Sequence, residues 1–123
     1  MGRTVDAASN LRNVAYDQDF ADRVRDALSM REGLTERKMF GGIGFMIRGN
    51  MACGVTSTSE LMVRIAPEDN EAALAEEHVR EFEMSGKKMS GWLIVAREGV
   101  ATDEDLAGWV DAGADHAASM PAK

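Results

Sequence analysis

The stretch KMFGGIGFMIRGNMACGV, residues 38–55, decides how the chain is read. It holds five of the chain's twelve glycines, three of its nine methionines and its single cysteine. Glycines at this density either cradle a phosphate or shape a pair of strands. The phosphate reading is poorly served by the residues. Gly41-Gly42-Ile43-Gly44 has no Lys-Ser/Thr after it and opens no helical pattern, so it is neither a P-loop nor a dinucleotide fingerprint. It does match the G-x-x-G clamp of KH domains, but it sits between strand-like segments of an acidic chain.

The strand reading is supported by turn chemistry. Gly49-Asn50 between two apolar segments suits a two-residue hairpin loop, because the primed turns need positive φ. That loop sets Arg48 opposite Met51, Met46 opposite Cys53 and Phe45 opposite Gly54. Gly54 then leaves room for the Phe45 ring. Gly41 and Gly42 let the first strand bulge and bend.

Working outward, a two-residue loop near residues 56–59 brings Leu61, Val63 and Ile65 onto the face of Phe45, Ile47, Ala52 and Gly54, a core face for helices. The opposite face then carries Met46, Met51, Cys53 and Met62, with Arg48 and Arg64 near the hairpin end. A one-residue slip would reassign these positions, since side chains alternate across a strand. Methionine is an adaptable packer and is over-used on partner-binding surfaces. The Met/Arg set is therefore the candidate contact surface. Cover by the N-terminal extension or by self-association is the plainer reading of the same face.

Flanking segments complete the pattern. Phe20, Val24, Ala27 and Leu28 recur at helical spacing and predict a helix over 17–30, with Gly33 as its stop. Strands are expected over 36–48, 51–56, 61–65, 81–84 and 91–96. Pro67 opens a short helix. Thr102 with Asp105 makes a helix start, and Leu106, Trp109, Val110, Gly113, Ala114 and Ala117 form one stripe ending before Pro121. The expected class is α+β: two layers, a mostly antiparallel five-stranded sheet with helices on one face, in the order α-βββ-α-ββ-α. Residues 1–15 read as an extension, and residues 16–123 as a single domain.

Composition narrows function. The chain has 123 residues, a formal net charge of −7 and 45% apolar residues. Such a chain can build one packed core, and its charge disfavours direct nucleic-acid binding. One cysteine excludes an internal disulfide or a multi-cysteine zinc site. With no secretory signal and no membrane-length apolar run, a cytoplasmic protein is expected. No metal and no cofactor are expected. Cys53, mid-strand and without a neighbouring His, reads as a buried filler rather than a nucleophile. His78 and His116 read as surface residues, and Trp92 and Trp109 as core. The acidic runs at 67–71 and 102–106 read as helix openings rather than metal ligands. Lys38 and Lys87 are the anion-binding candidates, beside a pocket at the Gly41-Gly42 bend.

Four pieces, KMFGGIGFMIRGNMACGV, LMVRIAPE, GKKMSGWLIV and TDEDLAGWV, stand in an order and spacing that resembles the N-terminal domain of the TfoX/Sxy family of competence regulators. The resemblance covers residues 16–121 and implies a two-layer fold like that of secretion chaperones. Full-length members switch on DNA-uptake genes in concert with the cAMP receptor protein and carry a second, C-terminal domain; the chain is expected to be a single-domain relative. The resemblance supplies no catalytic residues. It implies a non-enzymatic bacterial regulator acting through a protein partner or through self-association. The alternative from the residues is a small anionic-ligand binder or enzyme at the Gly41-Gly42 bend.

Overall fold

A computed structural model describes residues 16–123; residues 1–15, read above as an extension, lie outside the described residues. Three of the four hairpins in the sheet close on a two-residue loop with glycine second; the fourth pairs Val55 with Leu61 across five residues, 56–60, rather than the two-residue loop expected there. Phe40-Gly41, Arg48-Gly49 and Ser85-Gly86 all have positive φ at both positions, 51° and 76°, 50° and 85°, and 54° and 78°. This is type I′ geometry, whose twist matches that of the flanking strands.

The first of these loops corrects an expectation. Gly41 and Gly42 do not bend one strand; the chain reverses at Phe40-Gly41. The segment is therefore two strands, β1 (Leu34–Met39) and β2 (Gly42–Ile47), paired from Leu34↔Ile47 to Met39↔Gly42. β3 (Asn50–Val55), β4 (Leu61–Arg64), β5 (Val79–Met84) and β6 (Lys87–Val95) complete six strands rather than five. All neighbours are antiparallel, in the order β1-β2-β3-β4-β6-β5.

The central hairpin also turns one residue earlier than expected. Ile47 pairs with Asn50, so Arg48-Gly49 is the loop and Asn50 belongs to β3. Asn50 is 2% exposed, and its side-chain amide donates to the Pro121 carbonyl at 2.9 Å. The Lys123 N–H donates to the Arg48 carbonyl at 2.9 Å. The C-terminal residues thus satisfy a buried amide that a solvent-facing turn would have left to water.

A second departure follows within the same hairpin. Met46 pairs with Met51, but Phe45 pairs with Cys53, which leaves Ala52 as the extra residue of a β-bulge. Beyond the bulge every side chain of β3 exchanges faces relative to the expected register. Cys53 now faces the helices, with Phe45 and Val63, and Gly54 faces away, opposite Gly44. The Phe45 ring is on the other side of the sheet from Gly54, so it does not fill the space that Gly54 leaves.

The helices cover one face, as expected. α1 (Gln18–Ala27) is shorter than the predicted 17–30; Asp17 caps it, Oδ1 accepting from the Asp19 and Phe20 N–H groups at 2.9 and 3.3 Å. Pro67 opens a 3-10 turn, Pro67–Asp69, that runs into α2 (Asn70–Leu74). α3 (Asp103–Ser119) starts as predicted, with the Thr102 hydroxyl accepting from the Asp105 N–H at 3.0 Å. α3 lies across β3 and β4, with α1 beside it. Phe20, Val24, Leu28, Val110 and Ala114 from the helices meet Phe45, Cys53, Leu61, Val63, Leu93 and Val95 from the sheet, and all eleven are fully buried. At ~25 cal/mol per Å² of apolar area, burial of this kind is the main drive for the fold. Ion pairs of Arg31 with Asp111 and Asp115, at 3.2 and 2.8 Å, then fasten the end of α1 to α3. They are exposed enough that each contributes at most about 1 kcal/mol.

Candidate functional site

The face opposite the helices has no covering layer among the described residues. The register places Gly42, Gly44, Met46, Met51, Gly54, Met62, Arg64, Trp92 and Ile94 on it. Three of these are glycines, Gly44 and Gly54 within strands and Gly42 at the start of β2, and glycine contributes no packing of its own. They form a floor on which longer side chains rest. A Cβ added to Gly44 would lie 3.1 Å from the methyl carbons of both Met39 and Met51, and one on Gly54 would lie 3.1 Å from that of Met51.

The two sheet edges wall this floor. In β6 the pairing jumps from Glu81↔Leu93 to Phe82↔Met89, and Gly91 takes φ 86° within the interruption. The outer part of the β5–β6 hairpin leaves the line of the sheet there. Phe82, Met84 and Met89 consequently line one groove with Met39 and Phe40 from the opposite edge. The groove holds about 710 Å³, within the 300–1,000 Å³ usual for binding clefts. Five of the nine methionines line it, namely Met39, Met51, Met62, Met84 and Met89. Among the described residues, Glu83 is the only charged one in its lining. Phe40, at the rim, is 83% exposed.

Of the residues singled out from the sequence, Met46, Met51, Met62 and Arg64 share this face. Met51 and Met62 line the groove, and Met46 and Arg64 lie outside its lining. Arg64 sits over the Trp92 ring at 4.9 Å from its centroid, a cation–π contact that fixes the guanidinium across β4 and β6. Arg48 and Cys53 do not join them. The Arg48 guanidinium donates to the Ala118 carbonyl at 2.9 Å, at the end of α3. Cys53 is fully buried under the helices, and burial pushes its thiol up to about 12. A thiolate is therefore inaccessible in both senses, as the filler reading expects.

Lys38 pairs with Ile43, and Lys87 with Met84. The groove does border the Phe40-Gly41 turn, yet neither lysine lines it. Trp92 and Trp109 are half-buried rather than core. Trp109 and His116 border a second cleft of about 520 Å³ between α2 and α3. Among the described residues no three His, Cys, Asp or Glu side chains are grouped to hold a metal ion, and no helix is long and apolar enough to cross a membrane.

Sequence reasoning missed Met39, Phe40, Phe82, Met84, Met89 and Trp92 as neighbours of the methionine face. A signal was present in β5, where Arg80, Phe82 and Met84 alternate with Glu81 and Glu83. The two apolar residues of that alternation, Phe82 and Met84, are in the groove lining.

Comparison with known proteins agrees with the fold. The family model described as the TfoX N-terminal domain matches residues 26–117, from within α1 to the last turns of α3. No curated protein and no solved structure gives a match. Over that span, which is most of its length, the chain belongs to the TfoX N-terminal domain family.

Proposed function

We propose that this chain is a non-enzymatic protein-interaction module with a regulatory role, in the competence or transcriptional setting that its family membership suggests. The carrying observation is the groove: five methionines over a glycine floor, on the sheet face that the helices leave open. Methionine side chains are flexible and polarisable, so a surface rich in them can repack around a partner. Arg64, held over the Trp92 ring, supplies a charged contact beside the apolar cleft and gives the partner an orientation. Met46, Met51, Met62 and Arg64 form the contact surface, joined by Trp92 and Phe40.

Affinity capture from the native host tests this reading. A specific partner retained by the wild-type chain should be lost with Met62→Lys and with Arg64→Glu. It should be kept with Arg48→Glu, because Arg48 points to the C-terminal end of α3. Equal capture by all three variants rejects the surface.

The small-ligand alternative draws on the same cavity, which borders the Phe40-Gly41 turn. With Glu83 as the only charged lining residue among those described, the groove suits an apolar ligand better than an anion. Anion binding by Lys38 and Lys87 would show as thermal stabilisation by anionic metabolites that Lys38→Ala abolishes.

A further inference from the structure

We propose that a second copy of the chain occupies the groove, the two open faces meeting with Phe40 of each copy seated in the groove of the other. This rests on the reading of the open face as a contact surface and names its first partner.

The shape of the face suits it to a copy of itself. Among the described residues three large apolar side chains are exposed, Met30, Phe40 and Met84, and both Phe40 and Met84 stand at this groove. The Phe40 ring is 83% exposed, so it marks the rim without filling the cleft. A two-fold contact sets one patch against itself, and so needs a projection and a recess on the same surface. The open face has both: a ring standing out from the Phe40-Gly41 turn, and beside it an apolar cleft of about 710 Å³. The methionines of that cleft can repack around a ring.

Charge points to the same side of the molecule. A net charge of −7 sets two copies against each other, but the carboxylates are unevenly placed. Glu68, Asp69 and Glu71 open the turn and helix after β4, and Asp103, Glu104 and Asp105 open α3, all in the helix layer. On the open face the register sets Arg37 beside Gly44, Arg64 beside Trp92 and Arg80 beside Ile94. Against them stand Glu60, 2.6 Å from Arg80, and Glu83 at the groove. Two acidic copies therefore meet least repulsion when they approach through their open faces. The area is also adequate. Six strands spaced ~4.8 Å apart and about six residues long give a face of about 29 by 20 Å, on the order of 600 Å² before the relief of its side chains. A standard interface buries ~800 Å² per partner, so two such faces with their projecting side chains are of the size a stable dimer needs.

Sedimentation equilibrium of the purified full chain, from micromolar to millimolar concentration, tests this. The apparent mass should rise from the 13.3 kDa of one chain towards twice that value. Phe40→Asn puts a residue suited to positive φ at that turn, so the fold stands. It should weaken dimerisation on the order of thirtyfold, as loss of an aromatic anchor does. Met62→Lys should weaken it too, by placing a charge in the cleft, whereas Arg48→Glu, at a side chain that reaches α3 instead, should dimerise as the wild type does. In a mixture of chains with carbon-13 methionine methyl groups and unlabelled chains, isotope-filtered NOE spectra should connect the Phe40 ring of one copy to methionine methyls of the other. A single species of 13.3 kDa across the whole range would overturn the proposal. So would a dimer that Phe40→Asn and Met62→Lys both leave intact. The purified chain is the only protein present, so either result removes the second copy alone, and the capture experiment separately judges the surface for other partners.

Discussion

Two glycines of α3 should respond in opposite directions to the same substitution. Gly113 sits against the β3 bulge: a Cβ there would lie 2.2 Å from the Ala52 carbonyl oxygen and 3.1 Å from Val63 Cγ1. Gly108, one and a half turns earlier, has nothing within 4 Å of that position. Alanine in a helix interior is favoured over glycine by about 1 kcal/mol, and at Gly108 that is the whole effect. At Gly113 the same gain competes with a contact more than ~1 Å too short. The neighbour is backbone held in a paired strand rather than the end of a flexible side chain. Overpacking of this kind costs about 1–3 kcal/mol, towards the upper end when backbone must move. Gly113→Ala should therefore be destabilised by about 1–2 kcal/mol net, and Gly108→Ala stabilised by about 0.5–1 kcal/mol. Thermal unfolding followed by circular dichroism reads both, with a midpoint shift of about 4 °C or more per kcal/mol for a domain of this size. The reasoning fails if Gly113→Ala unfolds at or above the wild-type temperature while Gly108→Ala gains.

Cys53 gives a pH dependence with a definite sign. Its thiol is raised from 9.0 to about 12 in the fold, so between those values the unfolded chain ionises and the folded one does not. Stability should hold below pH 9 and fall as pH rises above it, by up to about 1.4 kcal/mol per pH unit. Cys53→Ala should flatten that slope, and a thiol reagent at pH 8 should label the native protein orders of magnitude more slowly than the unfolded one; rapid native labelling would contradict the burial. Phe40 makes a different prediction. It holds φ 51° at a turn position that favours Asn or Gly, and its ring is 83% exposed. Phe40→Asn should raise stability by about 1 kcal/mol through relief of left-handed strain. It should weaken partner capture at the groove rim; a variant that is both less stable and fully binding-competent would refute this account.

The core-facing helices and strands were legible because each announces itself by a period. The i, i+3, i+4 stripe of α3 and its Thr102 start survive unchanged in the structure. The alternation of Leu61, Val63 and Met62, Arg64 also survives. What was not legible is the hairpin's register. Gly49-Asn50 and Arg48-Gly49 are both acceptable type I′ pairs by local chemistry. The choice is made by Asn50 reaching Pro121, 71 positions away in sequence, which no local pattern reveals. The bulge at Ala52 is likewise decided by α3, whose Gly113 admits the Ala52 carbonyl. One such displacement moves Cys53 into the core and Gly54 to the open face, which is why Cys53, expected on the face of Met46, Met51 and Met62, lies on the other side of the sheet from them.

The two faces of the sheet are built to different standards, and the difference bears on function. Towards the helices stand Phe45, Leu61, Val63, Leu93 and Val95, all fully buried, branched or aromatic, and limited to few rotamers. Towards the open side stand glycines at 42, 44 and 54, which weaken strands, and methionines, which specify packing poorly. Phe40 adds backbone strain and an exposed ring at the same groove. Gly42 and Gly54 are held by close backbone, a Cβ on each meeting the Val55 or Ile43 carbonyl oxygen at 2.1 or 2.8 Å, but the methionines and Phe40 lower stability, and a sequence shaped for stability alone would replace them. Strain and adaptable packing that converge on one surface are the pattern of a site kept for contact. The groove, rather than the glycine loop as such, is where a change of residue should alter what this domain holds.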